Sequence, residues 1–279
     1  DIFFVLSGFI IAYVTNKKTT YFFINRLIRV IPIYWLITII FTTALLLFPN
    51  IFEISKFNYE YLFKSLLFIP FDNLDAGHYP LVIYGWTLNY EIYFYLIFSL
   101  AILISKKNVT FTFIIIFLII YFINLVQNNF ISEVYTNPII FEFMFGVLIF
   151  IFYKNFSYKT YIFILIFILT SIYLLIYFND HRIIMYGIPS VFILILFLYL
   201  NKFKFHKYLV VLGDSSYCLY LIHPYIFQLS KKLVIYNKFN LDLNYIILFF
   251  NVIICILISI CLHKYFEIPI QKFLKNKIK

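Results

Sequence analysis

Asp1-Ile-Phe-Phe-Val-Leu-Ser-Gly-Phe9 opens the chain, and a stretch of this kind belongs inside a membrane. Its polar exceptions, Asp1 and Ser7, then need partners, because an unsatisfied polar group in hydrocarbon is costly. Working outward, the pattern repeats. Of 279 residues, 64% are hydrophobic, 24% aromatic and only 12% charged, with a mean hydropathy of +0.97. A soluble domain carries about 25% charged residues, so an ordinary soluble protein is excluded. Apolar runs near ~20 residues read as transmembrane helices. They fall at about 1–14, 30–49, 82–104, 111–128, 138–153, 160–178, 183–200, 208–229 and 244–266. The run 61–71 is too short and reads as an interfacial or re-entrant piece. The expected fold is all-α: one polytopic membrane domain over 1–279 with about nine visible transmembrane helices.

The charges test this layout. With alternate loops taken as one side, Lys17, Lys18, Arg26, Arg29, Lys106, Lys107, Lys154, Lys159, Lys202, Lys204, Lys207, Lys264, Lys272, Lys275, Lys277 and Lys279 share a side. Only Lys56, Lys64, Arg182, Lys231, Lys232 and Lys238 lie opposite. Basic loops stay in the cytoplasm, which places the C-terminus inside and the visible N-terminus outside. The net charge of +10 is absorbed by this bias. No basic-aromatic module is present, so no nucleic-acid partner is expected; the lipid bilayer is. Cys218, Cys255 and Cys261 stand in apolar stretches without a Cys-x-x-Cys pair, so neither a disulfide framework nor a zinc site is suggested. No His-x-x-x-His or carboxylate cluster marks a metal.

Arg26 and Arg29 stand three apart and share a helix face. Two guanidiniums there suit a phosphate or pyrophosphate, each offering a planar donor fork. The same pair also reads as a positive-inside anchor that snorkels to headgroups. Glu91, in Trp86-Thr87-Leu88-Asn89-Tyr90-Glu91, is a carboxylate inside a span. It reads either as a structural group paired with an arginine or as a functional group facing a cavity. Ser7-Gly8 permits close helix packing or lines a narrow acyl path. His223 precedes Pro224, where a helix kinks; it reads as a structural histidine at that kink or as a general base. Glu142 is a further intramembrane carboxylate.

The opening segment resembles the Asp-x-Phe-Phe-x-x-Ser-Gly-Phe motif of the acyltransferase-3 family, bacterial integral-membrane enzymes that acylate sugars and glycans. Arg26-Leu-Ile-Arg29, followed by Pro32-Ile-Tyr34-Trp35, resembles its Arg-x-x-Arg…Pro-x-Tyr-Trp motif. Trp86, Thr87, Leu88, Glu91, Phe94 and Tyr95 match Trp-Ser/Thr-Leu-x-x-Glu-x-x-Phe-Tyr. The stretch Leu212–Pro224 resembles Leu-Gly-x-x-Ser-Tyr-x-x-Tyr-Leu-x-His, with Ser216, Tyr217, Tyr220 and His223 matching. Glu142-Phe-Met-Phe-Gly146 and the closing Glu267-Ile-Pro269 echo two more. Glu267 is expected to pair with a loop arginine.

The resemblance implies a membrane O-acyltransferase in the bacterial inner membrane. It would move an acyl group, expected to be acetyl, from a cytoplasmic donor such as acetyl-coenzyme A to a hydroxyl of a surface or exported polysaccharide. The donor is a co-substrate, and no bound cofactor is expected. Arg26, Arg29 and Ser7 are implied at the donor; Asp1, Trp86, Asn89, Glu142 and Tyr217 on the acceptor side; and Glu91 and His223 in catalysis. The resemblance also implies an upstream first helix, ten in all, carrying the family's proposed catalytic histidine; the chain is thus expected to be N-terminally truncated and to lack that base. The competing reading is a transporter or flippase of sugar-linked substrates, with Glu91 and Glu142 as coupling groups. No internal repeat favours it. A non-catalytic membrane scaffold is the third reading.

Overall fold

The computed structural model describes residues 1–48, 58–72, 80–153, 183–200, 205–237 and 241–278. It is an all-α membrane protein, with no strand among the described residues. The helices are α1 (Ile2–Lys17), α2 (Phe22–Leu47), α3 (Tyr59–Leu66), α4 (Trp86–Ile104), α5 (Val109–Val126), α6 (Phe130–Thr136), α7 (Ile140–Phe152), α8 (Ile188–Leu200), α9 (Lys207–Asp214), α10 (Ser216–Asn237), α11 (Leu241–Leu262) and α12 (Ile268–Ile278). Phe22–Leu47, Ile83–Ile104, Val109–Val126, Phe130–Phe152 and Tyr245–Ile278 are each long and apolar enough to cross a membrane. Ile2–Lys17 and Met185–Leu200 are shorter apolar helices. The expected span 160–178 lies outside the described residues. The chain divides into two compact units: Asp1–Phe23 with Tyr90–Lys204, and Ile24–Asn89 with Phe205–Lys279.

In the first unit, α1 lies against α7 at glycines. A Cβ on Gly8 would overlap Phe143 O and stand 3.3 Å from Gly146 Cα. One on Gly146 would overlap Val5 O and stand 2.7 Å from Phe9 N. Lipid tails are as apolar as leucine, so helices in a bilayer associate by close packing, which small residues permit. At Gly8, packing is therefore what the geometry supports, and the backbones leave no path between them. Aromatic rings fill the rest. Phe94 stacks on Phe143 at 3.7 Å and Phe98 on Phe113 at 3.9 Å, each pair contributing about 0.5–1.5 kcal/mol beyond its area.

These contacts also give helix directions. Asp1 meets Glu142 and Val5 meets Gly146, so α1 and α7 run parallel. Gly187, just before α8, lies beside Glu142, and Leu194 and Ile195 pack with Val5, Phe9 and Ile149, so α8 runs with them. Phe98 meets Phe113 while Phe94 meets Phe117, so α4 and α5 are antiparallel. This is the alternation that the apolar spans require.

In the second unit, Tyr217 Oη donates to Val30 O at 2.9 Å and Tyr225 packs on Phe41 at 4.2 Å, so α2 and α10 run parallel. Asn251 Nδ2 donates to Ser230 Oγ and Cys218 reaches Glu267, so α11 returns antiparallel to α10. Helix α3 is eight residues, about 12 Å, too short to span, in keeping with an interfacial or re-entrant piece. It ends in a Schellman motif: Ile69 N donates to Lys64 O and Phe68 N to Ser65 O. The left-handed position is held by Phe68 (φ 58°) instead of glycine. Burial of its ring against Tyr34 at 4.8 Å offsets that strain.

Three span edges differ from expectation. Helix α2 starts at Phe22, so the arginines stand inside it and not ahead of it. The apolar run at 208–229 is broken at Ser215, whose hydroxyl donates to Val211 O and Leu212 O and competes with the helical ladder. The last span does not stop near 266 but continues through a π turn, His263–Glu267, into α12.

Candidate functional site

In the second unit, Arg26 is half-buried and Arg29 exposed, on adjoining turns near the start of α2. The next carbonyl along, Val30 O, accepts the Tyr217 hydroxyl. Tyr217, expected with the acceptor-side group, is thus tied to the arginine-bearing turn. Three residues on, Tyr220 Oη shares a hydrogen bond of 3.1 Å with Thr87 Oγ1 and packs edge-on against Tyr84 at 5.4 Å. Tyr84 in turn lies 4.9 Å from the His223 ring. These contacts fix the entry to α4, Ile83–Gly85, against the middle of α10.

His223 Nδ1 lies 3.2 Å from Leu219 O. That geometry assigns the Nδ1–H tautomer, which leaves Nε2 as a proton acceptor. The ring stands in an apolar groove of about 470 Å³ with Ser216, Leu219, Tyr220, Phe227, Val252, Cys255 and Ile256. His223 therefore carries a helix contact through Nδ1, in keeping with its structural reading at the Pro224 kink. Asn89 is buried, and its Oδ1 makes no hydrogen bond among the described residues; Trp86, at the first position of α4, is half-buried.

In the first unit, Tyr95 Oη donates to Glu91 Oε1 one turn away. Glu142 is fully buried in the first turn of α7, where the helix dipole favours an anion. Its Oε2 lies 3.8 Å from the Asp1 backbone nitrogen. Tyr90, beside Glu91, packs edge-on against Phe4 at 5.9 Å, and Tyr90 Oη donates to Val134 O. Asp1, Glu91 and Glu142 thus gather toward the N-terminal ends of α1, α4 and α7. Ser7 is buried within α1 beside the Gly8 contact.

The partners of Glu267 differ from expectation. Glu267 is buried and is not answered by a loop arginine among the described residues. His263 Nδ1 meets its Oε2 at 2.8 Å, Cys218 Sγ donates to Oε2 at 3.3 Å, and Gln271 Nε2 donates to Oε1 at 2.9 Å. The signal available was the i, i+4 spacing of His263 and Glu267; the cysteine, distant in sequence, gave none.

The chain carries a helical membrane scaffold with two arginines on one helix face and carboxylates gathered at one end of a bundle. It belongs to the family described as an acyltransferase domain, whose model matches residues 1–264. It is also similar to the Exopolysaccharide production protein ExoZ of Rhizobium meliloti (strain 1021), with 30% identity over 157 residues covering 53% of this chain. The match spans about half of that protein's length, 48%. No solved structure matches the chain.

Proposed function

We propose that this protein is an acyltransferase of the bacterial inner membrane, with its C-terminus in the cytoplasm. It moves an acyl group, acetyl in the simplest case, from a cytoplasmic thioester donor such as acetyl-coenzyme A to a hydroxyl of a surface or exported polysaccharide. The observation that carries this reading is the Arg26/Arg29 pair on adjoining turns of α2 in a chain of the acyltransferase family. Two guanidinium forks match a donor's phosphate oxygens. The relative's name, exopolysaccharide production, supports a polysaccharide acceptor.

In the transfer, the acceptor oxygen attacks the thioester carbonyl. The carbon–oxygen bond forms, the carbon–sulfur bond breaks, and the thiol leaves. The hydroxyl proton passes to a base. In the first unit Glu91, held by Tyr95, orients the acceptor hydroxyl; in the second, His223 is the candidate base. By the family resemblance, Asp1 and Glu142 in the first unit and Trp86 and Asn89 in the second belong to the acceptor side, Tyr217 steadies the arginine turn, and Ser7, on α1, belongs to the donor side.

The test is mass spectrometry of surface polysaccharide from cells with the full gene, without it, and with Arg26→Lys or Arg29→Lys. Loss of the gene abolishes acylation. Each lysine variant lowers it about tenfold at normal membrane levels, because a point donor replaces a fork, a difference of about 1.4 kcal/mol. Normal acylation in both lysine variants makes the pair a topological anchor. Polysaccharide that stays inside the cell, already acylated, makes the protein a transporter.

A further inference from the structure

The helical stretch Tyr245–Ile278 is 34 residues long, about 51 Å at 1.5 Å per residue, whereas a bilayer's hydrocarbon core needs about 20 residues. Its end therefore lies beyond the hydrocarbon. The change falls at the π turn His263–Glu267, a helix irregularity pinned by the buried Glu267 bonds to Cys218, His263 and Gln271. After that turn the composition inverts. α12 (Ile268–Ile278) has no acidic residue and carries Lys272, Lys275 and Lys277. Ile270, Phe273, Leu274 and Ile278 stand at i, i+3, i+4 and i+8, one apolar stripe that Lys277 enters, while Lys272, Lys275 and Asn276 occupy the opposite side. Two rings beside this element stay exposed, Tyr265 at 71% and Phe273 at 57%. Each has an ammonium over it: Lys264 at 5.3 Å and Lys277 at 4.6 Å.

We infer that the π turn and α12 form an interfacial docking surface for anionic phospholipid headgroups. A helix that leaves the hydrocarbon with lysines and exposed rings along it holds its rings at the headgroup level and its ammoniums on phosphate. The helix has no acidic residue to repel those phosphates, and the buried Glu267 network fixes where it leaves the bundle. This surface is independent of the catalytic reading.

The whole protein, reconstituted in phosphatidylcholine nanodiscs with or without phosphatidylglycerol, tests it. An environment-sensitive probe is attached at Phe273→Cys in a Cys261→Ser background, since Cys218 and Cys255 are buried. Phosphatidylglycerol shifts the probe from aqueous quenchers to brominated-lipid quenchers, and raised salt reverses the shift. The combined variant Lys272→Gln/Lys275→Gln/Lys277→Gln loses the lipid response, and the matching arginine variant keeps it. A probe equally open to water in both compositions overturns the inference. So does a lipid response that survives in the glutamine variant, or protection that comes only from a soluble acidic polypeptide.

Discussion

Among the described residues, the interior of Asp1–Phe23 with Tyr90–Lys204 is packed by rings and glycine backbones around the buried Glu142, whereas that of Ile24–Asn89 with Phe205–Lys279 is threaded by polar side chains. In the first, Phe94, Phe98, Phe113, Phe117 and Phe143 are almost wholly buried, and α1 meets α7 backbone to backbone. In the second, Tyr217, Thr87, Tyr220, Cys218, His263, Glu267 and Gln271 bond across or along helices. The difference teaches what each interior tolerates. A shape-packed interior fails when volume is added at a contact point. A polar interior fails when one member leaves its partners unsatisfied.

Six substitutions probe that contrast. The largest effect is expected for Gly146→Leu, which forces α1 off α7 and costs about 3 kcal/mol or more. Thermal unfolding in detergent should show it, and Gly8→Ala should share the defect because its Cβ overlaps Phe143 O. An unchanged melting temperature would mean that the glycines are not the contact. Next, Glu267→Gln removes an acceptor from His263 and Cys218 and should destabilise by about 1–3 kcal/mol. If His263→Ala in the Glu267→Gln background costs as much as it does alone, the two are not coupled.

Glu91→Gln keeps volume and removes charge. As an acceptor-orienting group it should lower acyl transfer sharply while membrane levels hold. A parallel fall in protein level would make it a structural carboxylate instead. The smallest effect is expected for Tyr217→Phe, which releases one neutral hydrogen bond to Val30 O, about 0.5–1.5 kcal/mol. It should weaken donor binding modestly and leave Gly146-dependent stability untouched. A loss as large as that of Glu267→Gln would show that the polar unit has no minor members.

Much of this architecture is legible from runs of apolar residues. The stretches 82–104 and 111–128 fall within two residues of the helices found at Ile83–Ile104 and Val109–Val126. Hydropathy fails where a helix continues past the hydrocarbon, because the helix is set by backbone bonds and the run by side chains. This is why α2 takes in Arg26 and Arg29 and why α12 follows the last apolar span. It also misses local breaks, as at Ser215, where one helix gives way to the next inside an apolar run. Among candidate site residues, the arginine pair and Glu91 stand out by charge in apolar surroundings. The attachment of Tyr217 to Val30, and of Glu267 to Cys218, depends on distant segments meeting and has no local signature.

The glycine contact bears on how the protein is made. Gly8 enters the membrane among the earliest residues of this stretch to be synthesised, and Gly146 only after α4 and α5 have followed. Until α7 is made, α1 lacks this backbone partner. The α1–α7 seam therefore cannot close before α7 has been made. A ribosomal stall before Gly146 would leave α1 without that partner and open to quality-control proteases.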